Sequence, residues 1–285
     1  MRPLVALLPL AFLTLAGPTT AQVPPAPSPQ GSWFVYWGYN RSGYSWSNIH
    51  FNGPDYDFTL RHVEAKDRPS AFSLDNYFNP KNIWLPQYNY RIGFFLHERW
   101  SLSLGLDHMK YVMVQDQAVH MDGWIGDTRS HDFAVAEGGH EVVLTEDFLT
   151  YEHTDGLNLL CFDMDHYDPL WASRSGRQRL HVFEGAHLGM LIPRSDVRLF
   201  GEGMNNAFHV AGVGVGAQLG VHFTFCEHLF LRGTARGSWI DLPSVLTTGT
   251  AEDRANQHFW AYQGSIVFGG QFKLGGRKKD APSAQ

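Results

Sequence analysis

Cysteine is almost absent. Cys161 and Cys226 are the only two in 285 residues, too few for a disulfide framework. Basic residues are also scarce: 22 Lys and Arg stand against 28 Asp and Glu, a net charge of −6. That balance excludes general electrostatic binding of nucleic acid. Charged residues make up just 18% of the chain, which argues against disorder, a coiled coil and a helical bundle. Beyond the first residues no apolar run approaches the roughly 20 residues of a membrane-spanning helix. Walker, HExxH, GxSxG and CxxC motifs are all missing, and no cofactor signature replaces them. What the chain does have is glycine, 29 residues, and aromatic side chains, 14% of the total.

The N-terminus has the form of an export signal. Arg2 precedes an apolar stretch from Leu4 to Ala16, and Thr19, Thr20 and Ala21 offer the small residues of a cleavage site before Gln22. The predicted organisation is a signal peptide over 1–21, a Pro-rich spacer over 22–31, a single β domain over 32–273 and a polar tail over 274–285. The leader holds Arg2 and no acid, so the mature chain is slightly more acidic still.

From Ser32 onward apolar residues alternate with small or polar ones. Val213, Val215, Ala217, Leu219, Val221, Phe223 and Phe225 interleave with Gly212, Gly214, Gly216, Gln218, Gly220 and His222. Period two over so long a run, with glycine on one face, predicts a strand whose apolar side meets lipid. Similar runs lie at Trp33–Arg41, Gln87–Leu96, Trp100–Asp107, Leu149–Leu159, Leu180–Leu191, Leu229–Ser238 and Trp260–Phe272, which makes eight. In the fourth run Leu149, Tyr151, Leu157 and Leu159 are assigned to the lipid face, and Glu152 to the lumen.

Links alternate in length. Short polar turns at His97–Arg99 and Cys226–His228, with a longer third at Asp165–Arg179, contrast with long loops at 42–85, 114–148, 193–206 and 241–257. Trp33, Trp100, Phe225 and Phe272 mark the turn end, and Tyr111, Trp239 and Trp260 the loop end, as interfacial girdles do. On this pattern the chain resembles the small outer-membrane β-barrels, of the eight-stranded type found in the transmembrane domain of outer-membrane protein A. The likeness runs from Ser32 to about Lys273 and departs at the end, where Phe272 is followed by KLGGRKKDAPSAQ instead of closing the chain. It implies an antiparallel up-and-down transmembrane barrel in the outer membrane of a Gram-negative cell, inserted by the barrel assembly machinery. Outer-membrane lipid and lipopolysaccharide would surround it, with no cofactor and no bound metal. Ten strands would result if Asp57–Glu64 joined the wall with a neighbouring loop segment.

Alternation aims Arg91, Asp107, Glu152, Arg232 and Arg236 into the lumen. Counting from the His97–Arg99 turn sets Arg91 beside Gly105, one diagonal step from Asp107. Counting from the second long loop sets Asp107 near Glu152. An Arg91–Asp107–Glu152 cluster is expected, with Arg232 and Arg236 on the far wall, because an eight-stranded lumen has no open pore and its charges must pair. The leading function is structural or interaction-type, a barrel that displays long loops.

A second group, His153, Asp155 and His108, is assigned to the lipid face near the outer leaflet. It resembles the membrane-facing histidine site of outer-membrane lipid A deacylases, which would make His153 a base and Asp155 or Glu152 its orienter. The family's serine, two residues after the histidine, has no counterpart here, since position 155 is Asp. This lipid-modifying hydrolase is the runner-up, and a narrow gated channel is third. In the second loop His120, Asp122, His131, Asp132, His140 and Glu141 match no metal-ligand spacing.

Overall fold

The computed structural model describes residues 28–203 and 207–274; the leader, the first part of the spacer and the tail from 275 lie outside them. Strands dominate. In chain order they are β1 (Trp33–Tyr44), β2 (Ser47–Gly53), β3 (Tyr56–Val63) and β4 (Ala65–Lys66), then a short helix α1 (Leu74–Phe78). β5 (Tyr88–Phe95), β6 (Trp100–Met113), β7 (Ala118–Ile125), β8 (Val135–Val143) and β9 (Leu149–Ala172) follow. The last five are β10 (Arg179–Leu191), β11 (Asp196–Leu199), β12 (Gly212–Phe225), β13 (Leu229–Leu246) and β14 (Arg254–Phe272).

Eight of these close a ring, in the order β1-β5-β6-β9-β10-β12-β13-β14, with β14 paired back onto β1 from Trp33↔Phe272 to Tyr44↔Ala261. Every pairing in the ring is antiparallel. The eight expected runs are these eight strands. Asp57–Glu64 does contribute a strand, but not to the wall. Its β3 pairs with β2, which rides on the loop-end extension of β14, and β7 and β8 continue that sheet over the mouth of the ring. The ring therefore stays at eight, and its long loops build a folded cap.

Two turns fall where expected. Between β12 and β13 both Cys226 (φ 53°) and Glu227 (φ 69°) take the left-handed conformation of a tight hairpin turn. The third link is shorter than the sequence suggested: β9 runs on to Ala172, so the turn is residues 173–178 rather than Asp165–Arg179. The two cysteines do not pair; Cys161 is buried in the barrel and Cys226 exposed at its turn.

The outer face of the ring is apolar and uncovered. Ile92, Leu104, Phe162, Leu188, Val215, Leu219, Ile266 and Phe268 are all exposed. A closed ring satisfies its own backbone hydrogen bonds, and so continuous an apolar belt on it is the surface of a barrel that spans a bilayer. Tyr111 departs from the predicted girdle: it is fully buried inside, against Tyr44, Tyr151 and Phe259.

The interior is packed in layers. Phe34, Tyr36, Phe95, Tyr167, Phe183, Phe230 and Val267 plug the turn end. Glycine makes the plug fit: a Cβ on Gly93 would strike the Phe34 ring, and one on Gly220 the Phe183 ring. At the loop end Met109, Tyr111, Leu157, Leu159, Ile240 and Phe259 join Phe51, Phe58, Leu60, Met121 and Phe148 of the cap in one continuous core. If the ring closes as described, cysteines at Ser42 and Gln263, which are Cα partners across the β1–β14 seam, cross-link on mild oxidation in a Cys226→Ser background. A pair that stays reduced would place the seam elsewhere.

Candidate functional site

Between the plug and the upper core lies a layer of charge. Along β9 from its turn end, the inward residues are Tyr167 of the plug, then Asp165 and Asp163, then Cys161, Leu159 and Leu157 of the upper core. β5 contributes Arg91, β6 Asp107, β12 Gln218, and β13 Arg232 and Arg236. All six charged side chains, three cations and three anions, are at most 5% exposed.

Every charge has a partner of opposite sign. Arg91 holds Asp107 with two parallel bonds, Nη1 to Oδ1 and Nη2 to Oδ2, each 2.9 Å, while its Nε donates to Asp163. Arg236 bridges the same two acids, Nη1 to Asp107 Oδ2 at 2.6 Å and Nη2 to Asp163 Oδ1 at 2.8 Å, and also donates to Gln218. One turn-ward step down, Arg232 donates to Asp165 at 2.9 Å and to the Tyr167 hydroxyl at 2.7 Å, its guanidinium 3.7 Å from the Phe183 ring centroid. Gln218 links the two halves through Asp165, 2.5 Å away. Cys161 Sγ lies 2.9 Å from Arg91 Nη2, inside the same network. Bidentate geometry and balanced charge are what make burial of six ions tolerable, since each unpaired ion would cost several kcal/mol.

Of the five lumen residues expected from sequence, four come together. Arg91 pairs with Gly105 across β5 and β6, and Asp107 lies diagonally from it. Arg232 and Arg236 are members of the network, not a separate far wall. Glu152 is not a member. It faces outward at the loop end, half-buried, opposite Val112 and Asp196 and 2.7 Å from Arg68. The cause is a reversed face on β9, where Leu149, Tyr151, Leu157 and Leu159 all point into the core. The rule of apolar outside and polar inside fails there because the mouth is sealed by an apolar cap. Asp163 and Asp165 take the place assigned to Glu152. Their signal was present: exposed Phe162 and Met164 alternate with these two acids within a segment assigned partly to a turn.

The histidine group does not assemble at the lipid face. His153 is fully buried, its Nδ1 2.8 Å from the equally buried Ser195 Oγ, between the rings of Tyr111 and Tyr151. Its Nε2 has no partner among the described residues. Asp155 is exposed and lies 3.3 Å from Arg194. His108 points the other way, bonded to Asn158 Oδ1 at 2.8 Å and stacked on Tyr88. So a hydroxyl reaches His153, but no acid does, and neither member of the pair meets lipid or solvent. A nucleophile needs a placed base, an orienting group and access, and two of the three are missing.

On the cap, His120 sits between Glu141 at 2.9 Å and Asp122 at 3.0 Å, and Asp122 also takes Arg61 at 2.7 Å. His131 bonds Asp127, and His140 the Ala136 carbonyl, so the loop histidines do not converge. Among the described residues one His–Asp–Glu group does gather: His166, Asp168 and Glu184, outside the ring near its turn end. There His166 Nδ1 is 2.9 Å from Glu184, and the second oxygen of Asp168 is 3.1 Å from Arg99.

No family model and no curated protein matches the sequence. Structural similarity is found to the outer membrane protein OprG from Pseudomonas aeruginosa, at 10% identity over 86% of this chain and 97% of that one, with a TM-score of 0.40. Neisserial surface protein A follows at 9% identity, 86% and 98% coverage and a TM-score of 0.35. The N-terminal β-barrel domain of Pseudomonas aeruginosa OprF has 12% identity, 85% and 98% coverage and a TM-score of 0.30.

Two outcomes test this geometry. Arg91→Met strands two acids on one remaining guanidinium and lowers unfolding stability in lipid by about 3–5 kcal/mol, whereas Glu152→Gln, at a partly exposed pair, changes it by under about 1 kcal/mol. Equal losses in urea titrations would undo the face assignment. On the cap, the hydrogen bond to Glu141, then Asp122, raises the His120 pKa above its ordinary value. The folded state thus holds that proton to higher pH than the unfolded chain. The pair's stabilisation is full below the ordinary histidine range and is lost as pH rises through the raised value. NMR titration of Glu141→Gln should move the His120 midpoint down; an unmoved midpoint would show the pair is not formed in solution.

Proposed function

We propose that this chain is an outer-membrane β-barrel of structural or interaction type, which anchors a folded β cap on the outer surface of a Gram-negative cell. One observation carries the reading: a closed, apolar-belted ring whose lumen is sealed three times over, by the aromatic plug, the ion-paired layer and the core shared with the cap. A conduit needs a polar path, and the described interior provides none. A lipid-modifying hydrolase needs a base with an acid at the lipid face, and His153 has neither the acid nor the exposure. What faces the outside is the cap sheet, whose last strand, β8, pairs on one side alone and carries Glu137 and Glu141 along an exposed edge. Charged edge strands resist self-pairing and leave a polar surface for a partner. The barrel assembly machinery is the expected route of insertion, with outer-membrane lipid and lipopolysaccharide as the surrounding contacts.

Fractionation of expressing cells should recover the mature chain, cut after Ala21, from the outer membrane, with migration on gels that changes on heating. In planar bilayers it should carry no ionic current, and lipid A from cells expressing wild type or His153→Ala should give matching mass spectra. Recovery from the periplasm, a steady conductance, or an acyl chain lost in wild type and restored in His153→Ala would each overturn the proposal.

A further inference from the structure

The outer wall is not uniformly convex. On β13 the outward positions Ala235 and Gly233 lie, from the loop end down, beside β14, where Gly264 pairs with Ala235. These form the floor of a trough of about 780 Å³, walled by Leu219 and Val221 of β12 on one side and Tyr39 of β1 on the other. The trough is shallow, open along its outer side and almost wholly apolar. Packing does not require the floor to be so small. A Cβ added to Gly264 would meet nothing within 4 Å, and one on Gly233 would make only an ordinary contact with Val221. A hollow facing a bilayer fills with acyl chain, so the question is whether that chain exchanges freely or is held.

The loop end of the trough carries the answer. Register sets Arg41 beside Gly264, and both Arg41 and Tyr77 line the hollow. The Arg41 guanidinium donates to its neighbour's carbonyl, Asn40 O at 2.9 Å, and to the Tyr77 hydroxyl at 2.6 Å, and among the described residues it has no ion pair with a carboxylate. An exposed cation on the outside of a barrel wall, reached by Asp67 only through space and not by a direct ion pair, above an apolar hollow, matches a lipid phosphate above its chain. The segment that holds Tyr77 is itself apolar on its surface, with Phe72, Leu74 and Phe78 around α1 75%, 73% and 68% exposed.

We propose that this trough is a binding site for one lipid A molecule of the outer leaflet, an acyl chain lying along Gly264, Ala235 and Gly233 and a phosphate on Arg41. The proposal rests on the outer-membrane reading, because the loop end then lies in the leaflet that carries lipid A. Two variants separate the parts. Gly264→Leu fills the floor at a position with open space above it, and Arg41→Gln removes the cation.

Native mass spectrometry of the full barrel in detergent, titrated with purified lipid A or with phosphatidylglycerol, tests it. Heat-dependent gel migration of the same samples confirms that each variant is folded and keeps a failure of the membrane reading distinct. Wild type should hold one lipid A more tightly than phosphatidylglycerol. Arg41→Gln should weaken that complex about fivefold, the scale of one basic side chain against an anionic lipid, and Gly264→Leu should weaken it by displacing the acyl chain. Unchanged retention in either folded variant would overturn the site, as would equal retention of the two lipids by wild type.

Discussion

Everything in this structure follows from burying six charges inside a ring too narrow to hold water around them. Arg91, Arg232 and Arg236 can enter the lumen because Asp107, Asp163 and Asp165 enter with them, and four wall strands must sit in register for the six to meet. An ion left unpaired there costs several kcal/mol, a large share of a typical domain's net stability. The network penalises misregister: a one-residue slip of β9 would turn Asp163 and Asp165 out to lipid and leave three guanidinium groups with Asp107 as their one carboxylate.

The charge layer also explains the apolar layers on either side. Ion pairs are stronger where water is excluded. At the turn end Phe183 and Tyr167 close over Arg232, which presses on the Phe183 ring. At the loop end the wall strands rise beyond the membrane belt and share a core with β2, β3 and β7, so the cap is held by packing, not by flexible tethers. A rigid cap on a closed base suits a surface display role.

Legibility of the sequence varied with how clean its alternation is. Where one face must meet lipid and the other is glycine or polar, as in β12, strand and face were both readable from Val213 to Phe225. The same held for Arg91 and Asp107, because a two-strand hairpin with a short turn leaves one possible register. β9 defeated the reading for a physical reason. Leu157, Leu159 and Leu160 make both faces apolar just where the lumen changes from charged to greasy, so alternation loses its sign. Phase was recoverable lower down, from Phe162 and Met164 against Asp163 and Asp165. The Ser195 contact with His153 was not legible, since it joins β9 to residues beyond β10 through tertiary packing, as does the cap sheet, whose strands pair with one another across long separations.

The central claim is that opposed charges in the lumen hold one another and thereby the register of the wall. A double-mutant cycle on Arg236 and Asp163, using Arg236→Met and Asp163→Leu with unfolding followed in lipid vesicles, measures it directly. The account predicts that each single change is strongly destabilising and that the pair together costs far less than their sum, with a coupling of about 1.5–3 kcal/mol. Additive losses, with a coupling below about 0.5 kcal/mol, would mean that the two groups are stabilised independently and that the network does not set the fold.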